Sequence, residues 1–226
     1  PVCIQHDLSL GLPPLPQRAD IVYGGPPCQG FSKAGRRRET DPRNQLYLAM
    51  VEAARQLRPA VVLLENVLGI RTMALAPAAE EFRELGYRTA IWDLDATGYG
   101  VPQRRRRVFM VGCLDADPPP PPEAFGGDIS VIKVIGDLPD IGSGDEAHRC
   151  NPLPATAARF VRHIPNGGCY RDAPPSVLPD RLLRILADPK RYKNPRLFPK
   201  PAPASAAQTV VCDTNPSLGG VLAPDM

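Results

Sequence analysis

Ala60-Val61-Val62-Leu63-Leu64 follows Pro59 directly and carries no polar side chain. Such a run, stopped by a proline on one side, reads as a strand buried on both faces, as in a parallel sheet covered by helices. Its surroundings agree. Asp20-Ile21-Val22-Tyr23 is short, β-prone and ends in Gly24-Gly25. Residues 43–58 carry Leu46, Met50, Val51, Ala54 and Leu57 on one helical face and stop at Pro59. Leu75, Ala79, Phe82 and Leu85 mark a second helix closed by Gly86. Further strands are predicted near 88–94 and at 107–113. Alternating strand and helix in this order predicts a parallel α/β sheet.

The second half has another character. Pro118 to Pro122 form an unbroken proline run, which cannot be helical and reads as extended. Short Pro- and Gly-rich segments follow, and only residues 177–187 read as a helix. The predicted division is a sheet domain over 1–116 and a smaller irregular domain over 117–226. A chain of 226 residues should bury roughly 70% of its unfolded surface and needs no disulfides to fold. Its six cysteines form no CxxC pair, which favours a reducing compartment, and a cytoplasmic location is expected. No apolar run reaches the roughly 20 residues of a membrane helix, so no membrane partner is expected. His148, Cys150, His163 and Cys169 fit no common zinc spacing, so no metal is expected.

Three short segments could carry chemistry. The first, Gly24-Gly25-Pro26-Pro27-Cys28-Gln29-Gly30-Phe31-Ser32, follows a predicted strand. Ligands of open α/β sheets bind beyond the carboxyl ends of the strands, which is where Cys28 falls. A free thiol has a pKa of about 8.5, so Cys28 needs an electropositive setting or a proton acceptor to act as a nucleophile. A buried structural cysteine is the alternative. The second, Glu65-Asn66-Val67, ends the next strand. It is either a helix-capping pair or a carboxylate beside Cys28. The third, Gln103-Arg104-Arg105-Arg106-Arg107, leads into the apolar Val108-Phe109-Met110-Val111. In an extended strand Arg105 and Arg107 share one face, and Arg104 and Arg106 the other. Arg36, Arg37 and Arg38 form a second basic cluster. The net charge is only +3, so local clustering argues for a nucleic-acid partner more than total charge does.

Together these segments resemble the cytosine-C5 DNA methyltransferase family. Gly25 to Ser32 resembles its nucleophile loop, Glu65-Asn66-Val67 its ENV motif, and Gln103 to Arg107 its QxRxR motif, in the family's order. His6-Asp7-Leu8 resembles the acidic motif preceding the loop. Ile135-Gly136-Asp137-Leu138-Pro139 and the Thr209 region are similar as well. The resemblance implies a Rossmann-like S-adenosylmethionine-dependent methyltransferase sheet domain with a smaller target-recognition domain. It implies a cytosine flipped out of duplex DNA, Cys28 adding to its C6, and methyl transfer to C5. Glu65 would hold N3, Arg107 with Arg105 the O2 side, and Asn66 would shape the loop around Cys28. Asp7, Leu8, Pro27 and Leu46 would contact the cofactor. Gln29 and Ser32 would lie against DNA, with Arg36, Arg37 and Arg38 on its phosphates.

The family's opening strand and Gly-rich cofactor loop have no counterpart here, nor do its closing Arg-Glu helix and last segment. The chain is therefore expected to be a segment of a longer protein, acting as a monomer. By the same resemblance its expected role is protection of DNA from a paired restriction enzyme. Two other readings stay open. One is a tRNA cytosine-C5 methyltransferase, although Gln29-Gly30-Phe31-Ser32 looks more like the DNA branch. The other is a non-catalytic DNA-binding remnant.

Overall fold

A computed structural model describes residues 2–27, 46–71, 75–137, 153–188 and 197–209. The chain forms two compact units. The first comprises Pro1–Asp95 and Arg106–Glu123, and the second Ala96–Arg105 and Ala124–Met226.

The first unit is built on four strands: β1 (Ile21–Gly24), β2 (Val61–Asn66), β3 (Arg88–Asp95) and β5 (Arg106–Cys113). Two helices accompany them, α1 (Tyr47–Leu57) and α2 (Ala76–Glu84). The sheet order is β1-β2-β5-β3. β1 and β2 are parallel, but β5 runs antiparallel to both β2 and β3. The all-parallel expectation is thus corrected to a mixed sheet. Only residues 96–105 separate β3 from β5, too few for the crossover of a dozen or more residues that a parallel neighbour requires. The chain therefore turns back, and β5 enters between β2 and β3.

The expectation for β2 is also corrected. Val62, Leu64 and Asn66 are buried, whereas Val61, Leu63 and Glu65 are half-buried. α1 and α2 supply Val51, Ala54, Ala78, Ala79 and Phe82 to the same apolar cluster as Val62, Leu64, Val108 and Met110. One face of the strand therefore carries the core of this unit. Each Val, Leu, Phe and Met side chain among these contributes about 1.5–3 kcal/mol on burial. α1 stops where expected. Arg58 takes the left-handed conformation at φ 48° and its N–H caps Ala54 O at 2.9 Å, and Pro59 cannot continue the helix. The Arg58 guanidinium donates to Leu85 O and lies 5.9 Å from the centre of the Tyr87 ring. Those contacts offset a backbone strain of about 1–2 kcal/mol.

The second unit contains β4 (Gln103–Arg104), α3 (Val131–Ile135), α4 (Ala155–Val161), α5 (Asp180–Ala187) and β6 (Ala207–Gln208). β4 pairs with β6 in parallel. The helix expected over 177–187 is α5, preceded by a 3-10 turn at Pro175–Val177. Its Leu182 and Ile185 join a separate core with Phe160, Tyr170, Leu178 and Phe198. Pro118–Pro122 carries no regular element. No helix among the described residues is long and apolar enough to cross a membrane. Cys3 and Cys113 are free thiols.

Candidate active site

The carboxyl ends of β1 and β2 lie side by side, because Gly24 pairs with Leu64 in the parallel register. Glu65 is thereby brought against the segment that leads to Cys28. A side chain at Gly25 would place its Cβ 3.4 Å from Glu65 Oε2 and 3.6 Å from Glu65 O. Those are ordinary contact distances, so the backbone at Gly25 runs directly beside the carboxylate.

β5 contributes the opposite charge. Arg107 stands opposite Leu94 on β3, and two residues on, Phe109 stands opposite Glu65 on β2. Side chains two apart on a strand share a face, so Arg107 and Glu65 lie on the same side of the sheet. Their ion pair measures 2.9 Å between Nε and Oε1, with the side chains 19% and 38% exposed. Arg107 Nη1 also donates to Arg106 O at 2.8 Å, which restricts the guanidinium further. A pair this open to water contributes at most about 1 kcal/mol to stability. Its chemical value is a fixed carboxylate beside a fixed, permanently charged donor fork.

Asn66 is buried and uses both ends of its amide. Nδ2 donates to Pro26 O at 2.8 Å, and Oδ1 accepts from the Val67 N–H at 2.8 Å. The amide thus ties the strand that carries Glu65 to the residue two positions before Cys28. Helix capping, the alternative for the Glu65-Asn66 pair, has no support here. The short 3-10 turn after β2 begins from Val67, which makes no side-chain cap bond.

The arginine run differs in part from expectation. Arg104 and Arg106 are exposed while Arg105 and Arg107 are half-buried, so the alternation holds. The extended run is broken at Arg105, which separates β4 from β5 and accepts from the Ala96 N–H at 3.0 Å. Arg105 belongs to the second unit and Arg107 to the first. Arg106 Nη2 meets Asp93 Oδ2 at 2.9 Å, a pairing that was not read from sequence. Sequence shows only that Asp93 and Asp95 share one face of a strand, and the β3–β5 register, which pairs Arg106 with Asp95, is needed to name the partner. Thr209 was noted only by region. Its hydroxyl donates to Arg104 O at 2.6 Å and secures the β4–β6 pairing.

Asp7 caps a 3-10 turn at Leu8–Leu10, accepting from the Ser9 N–H at 2.9 Å. Hydrogen bonds from Ser9 hold its carboxyl below the ordinary aspartate value. Leu8 and Pro27 are exposed, and Leu46 is half-buried at the start of α1. Cys28, Gln29, Ser32, Arg36, Arg37, Arg38, Leu138, Pro139, His148 and Cys150 lie outside the described residues. Among the described residues no group of three or more metal-ligating side chains converges.

Residues 5–147 match the family model for C-5 cytosine-specific DNA methylase. The type II methyltransferase M.AgeI of Thalassovita gelatinovora is 42% identical over 148 residues, covering 62% of this chain and 33% of the relative. The type II methyltransferase M1.HphI of Haemophilus parahaemolyticus is 31% identical over 188 residues, covering 78% of this chain and 49% of the relative. The chain thus spans between about a third and a half of the length of these two proteins. Among solved structures, a protein of an E. coli prophage classed with the DNA modification methyltransferases superposes with a TM-score of 0.52 at 23% identity. That match covers 87% of this chain and 64% of the other, and it is a likeness of fold.

Proposed function

Because this chain belongs to the C-5 cytosine-specific DNA methylase family, we propose that its protein methylates C5 of a cytosine flipped out of duplex DNA. The observation that carries this reading is the Glu65–Arg107 pair at the strand ends, with Asn66 tethering Pro26 beside it.

Cys28 follows Pro27 directly and is the nucleophile. Its thiolate attacks C6 of the cytosine, a C–S bond forms, and electron density moves to C5. Glu65 holds the N3 edge and stabilises the charge developing on the ring. Arg107, with Arg105, donates to the O2 side. Asn66 keeps the loop backbone in place while the thiolate attacks. After C5 is methylated, loss of the C5 proton and departure of the Cys28 thiolate regenerate the aromatic ring and release 5-methylcytosine.

S-adenosylmethionine supplies the electrophilic methyl group when bound. The available groups suit it. Asp7 offers an exposed carboxylate fixed by its turn, and Leu8 an exposed apolar side chain beside it. An acceptor next to an apolar surface matches a nucleoside with hydroxyls and a flat base. Pro27 and Leu46 complete the set. Gln29 and Ser32 face DNA, and Arg36, Arg37 and Arg38 neutralise phosphates. Residues 1–116 serve as the catalytic domain, and 117–226 as the target-recognition region and the start of the return to the catalytic domain. The protein acts as a monomer in the cytoplasm, and its role is modification of DNA against a paired restriction enzyme.

A trapped adduct tests the reading. Protein, S-adenosylmethionine and duplexes of mixed sequence carrying 5-fluorocytosine are incubated together, with Cys28→Ala as control. Fluorine cannot leave C5 as a proton does, so a covalent complex that depends on Cys28 is expected. An adduct with fluorinated tRNA alone would move the activity to RNA. No adduct with either, from folded protein that still binds DNA, would leave a non-catalytic binding protein.

A further inference from the structure

Phe125 is a large apolar side chain held in place yet 72% exposed. Its N–H donates to Gly98 O at 3.0 Å, and its ring meets Tyr99 edge-to-face at 6.2 Å and 78°. Two glycines permit the arrangement. A Cβ on Gly98 would come 3.1 Å from Ala124 Cβ, and one on Gly100, at φ 77°, 3.1 Å from Phe125 Cε2. The inner side of the ring is thus fixed on the Gly98–Gly100 turn and the remainder faces solvent. Val101, the next residue, is 42% exposed. Beyond Phe125, side chains at Gly126 and Gly127 would meet nothing within 4 Å, so the approach is open.

Residues 96–105, which include that turn, carry two cations, Arg104 and Arg105. Arg104 is exposed, and its side chain has no ion pair among the described residues, whereas Arg106 and Arg107 are each matched by a carboxylate. The 96–105 segment is closed on itself, with Ala96 N–H bonded to Arg105 O and Val101 N–H to Ala96 O. It contains no acidic residue. Among the described residues of the second unit, cations outnumber acids nine to five, while in the first unit acids outnumber cations twelve to eight.

We propose that Phe125 is a stacking platform for a nucleobase, with Arg104 on the adjoining phosphate. A fixed aromatic ring held on a segment that also bears an unmatched arginine has the composition of a surface that takes a base face and the backbone next to it. A protein partner is less well matched, because a lone ring with an uncompensated charge lacks the apolar core of such interfaces. The assignment rests on the DNA reading above and adds a contact that stacks on a base without reading its sequence.

The test uses the protein with single-stranded oligonucleotides carrying 2-aminopurine, whose fluorescence is quenched by stacking on a side chain, and with duplex oligonucleotides for affinity and salt dependence. Wild type is expected to bind and quench. Phe125→Ala should weaken binding about tenfold and lose the quench, and Phe125→Trp should keep both. Phe125→Leu keeps an apolar side chain on the turn, so it should fold if the alanine variant does not, and it should still lose the quench. Arg104→Gln should lower the salt slope of binding by about one. If wild type binds and the alanine and leucine variants bind and quench as it does, the stacking assignment is wrong and the DNA reading stands. If wild type binds no nucleic acid, both fall.

Discussion

Val62, Leu64, Val108 and Met110 are buried because two adjacent strands alternate against two helices. Phe160, Tyr170 and Phe198 are buried because short helices and turns close around large rings. The Phe160 and Phe198 rings meet edge-to-face at 4.8 Å. In the sheet unit the backbone ladder sets position, and side chains follow by a period of two. In the other unit single hydrogen bonds set position. Gly167 N–H to Lys200 O, Lys200 N–H to Gly168 O and Cys169 N–H to Asp172 Oδ2 hold one turn. The difference teaches where a reactive group can be aimed. A ladder holds Glu65 and Arg107 on one face across two strands, whereas an irregular unit places each side chain by its own turn.

The largest test removes one ring from each core. Phe82→Ala and Phe160→Ala should each cost about 3–5 kcal/mol, read by urea denaturation. Amide exchange should locate each loss, with β2 and β5 losing protection in the first variant and α4 and α5 in the second. If either variant loosens both sets equally, the two cores do not behave as separate units.

Asn66→Ala is next. It orphans Pro26 O and the Val67 N–H near a buried position, for a loss of about 1–3 kcal/mol. Adduct formation at Cys28 should fall further than stability accounts for. Equal losses in stability and reaction would reduce Asn66 to a structural clip.

Asp93→Asn should cost less than about 1 kcal/mol, because its Arg106 partner is more than half exposed. Thermal melts at low and high salt should show that cost shrinking with salt. A larger, salt-insensitive loss would mean that the start of β5 depends on this pair.

The smallest effect is at Asp7. Hydrogen bonds from Ser9 depress its folded pKa below the ordinary value. Whatever the bonds add is therefore present above the ordinary aspartate pKa of about 3.9 and lost as pH falls through the lower folded value. Carboxyl titration by NMR should show Asp7 titrating below an aspartate in an unstructured reference peptide, with the Ser9 amide shift following the same curve. A midpoint equal to the reference would remove the turn from the cofactor argument.

Much of the first unit was legible because its signals are local. The apolar run before Glu65, the face of α1, and the stop at Pro59 depend on residues close in sequence. Strand direction was not legible in the same way. The sequence shows that another strand follows residue 105, but the shortness of the 96–105 link had to be weighed against the habit of parallel pairing. Glu65 is legible from its place at a strand end, and Arg107 from the arginine run that resembles the family's motif. Their pairing depends on which strands are neighbours and in what register, a property of pairs some forty residues apart. Asp93 was missed for that reason, since its partner is named by the β3–β5 register alone. In the second unit no period organises the chain, and α5 was found only because its apolar residues keep helical spacing.

The short excursion between β3 and β5 has a consequence for grafting. Residues 96–105 sit in the middle of the first unit's sequence but pair, through β4, with β6. A chimera that exchanged only residues 124–226 for a relative's would leave β4 facing a foreign strand and Arg104 O without its Thr209 donor. The exchangeable module is therefore discontinuous. A donor segment must bring its own ten-residue insert, and the two seams at 95/96 and 105/106 must be cut along with the one at 123/124.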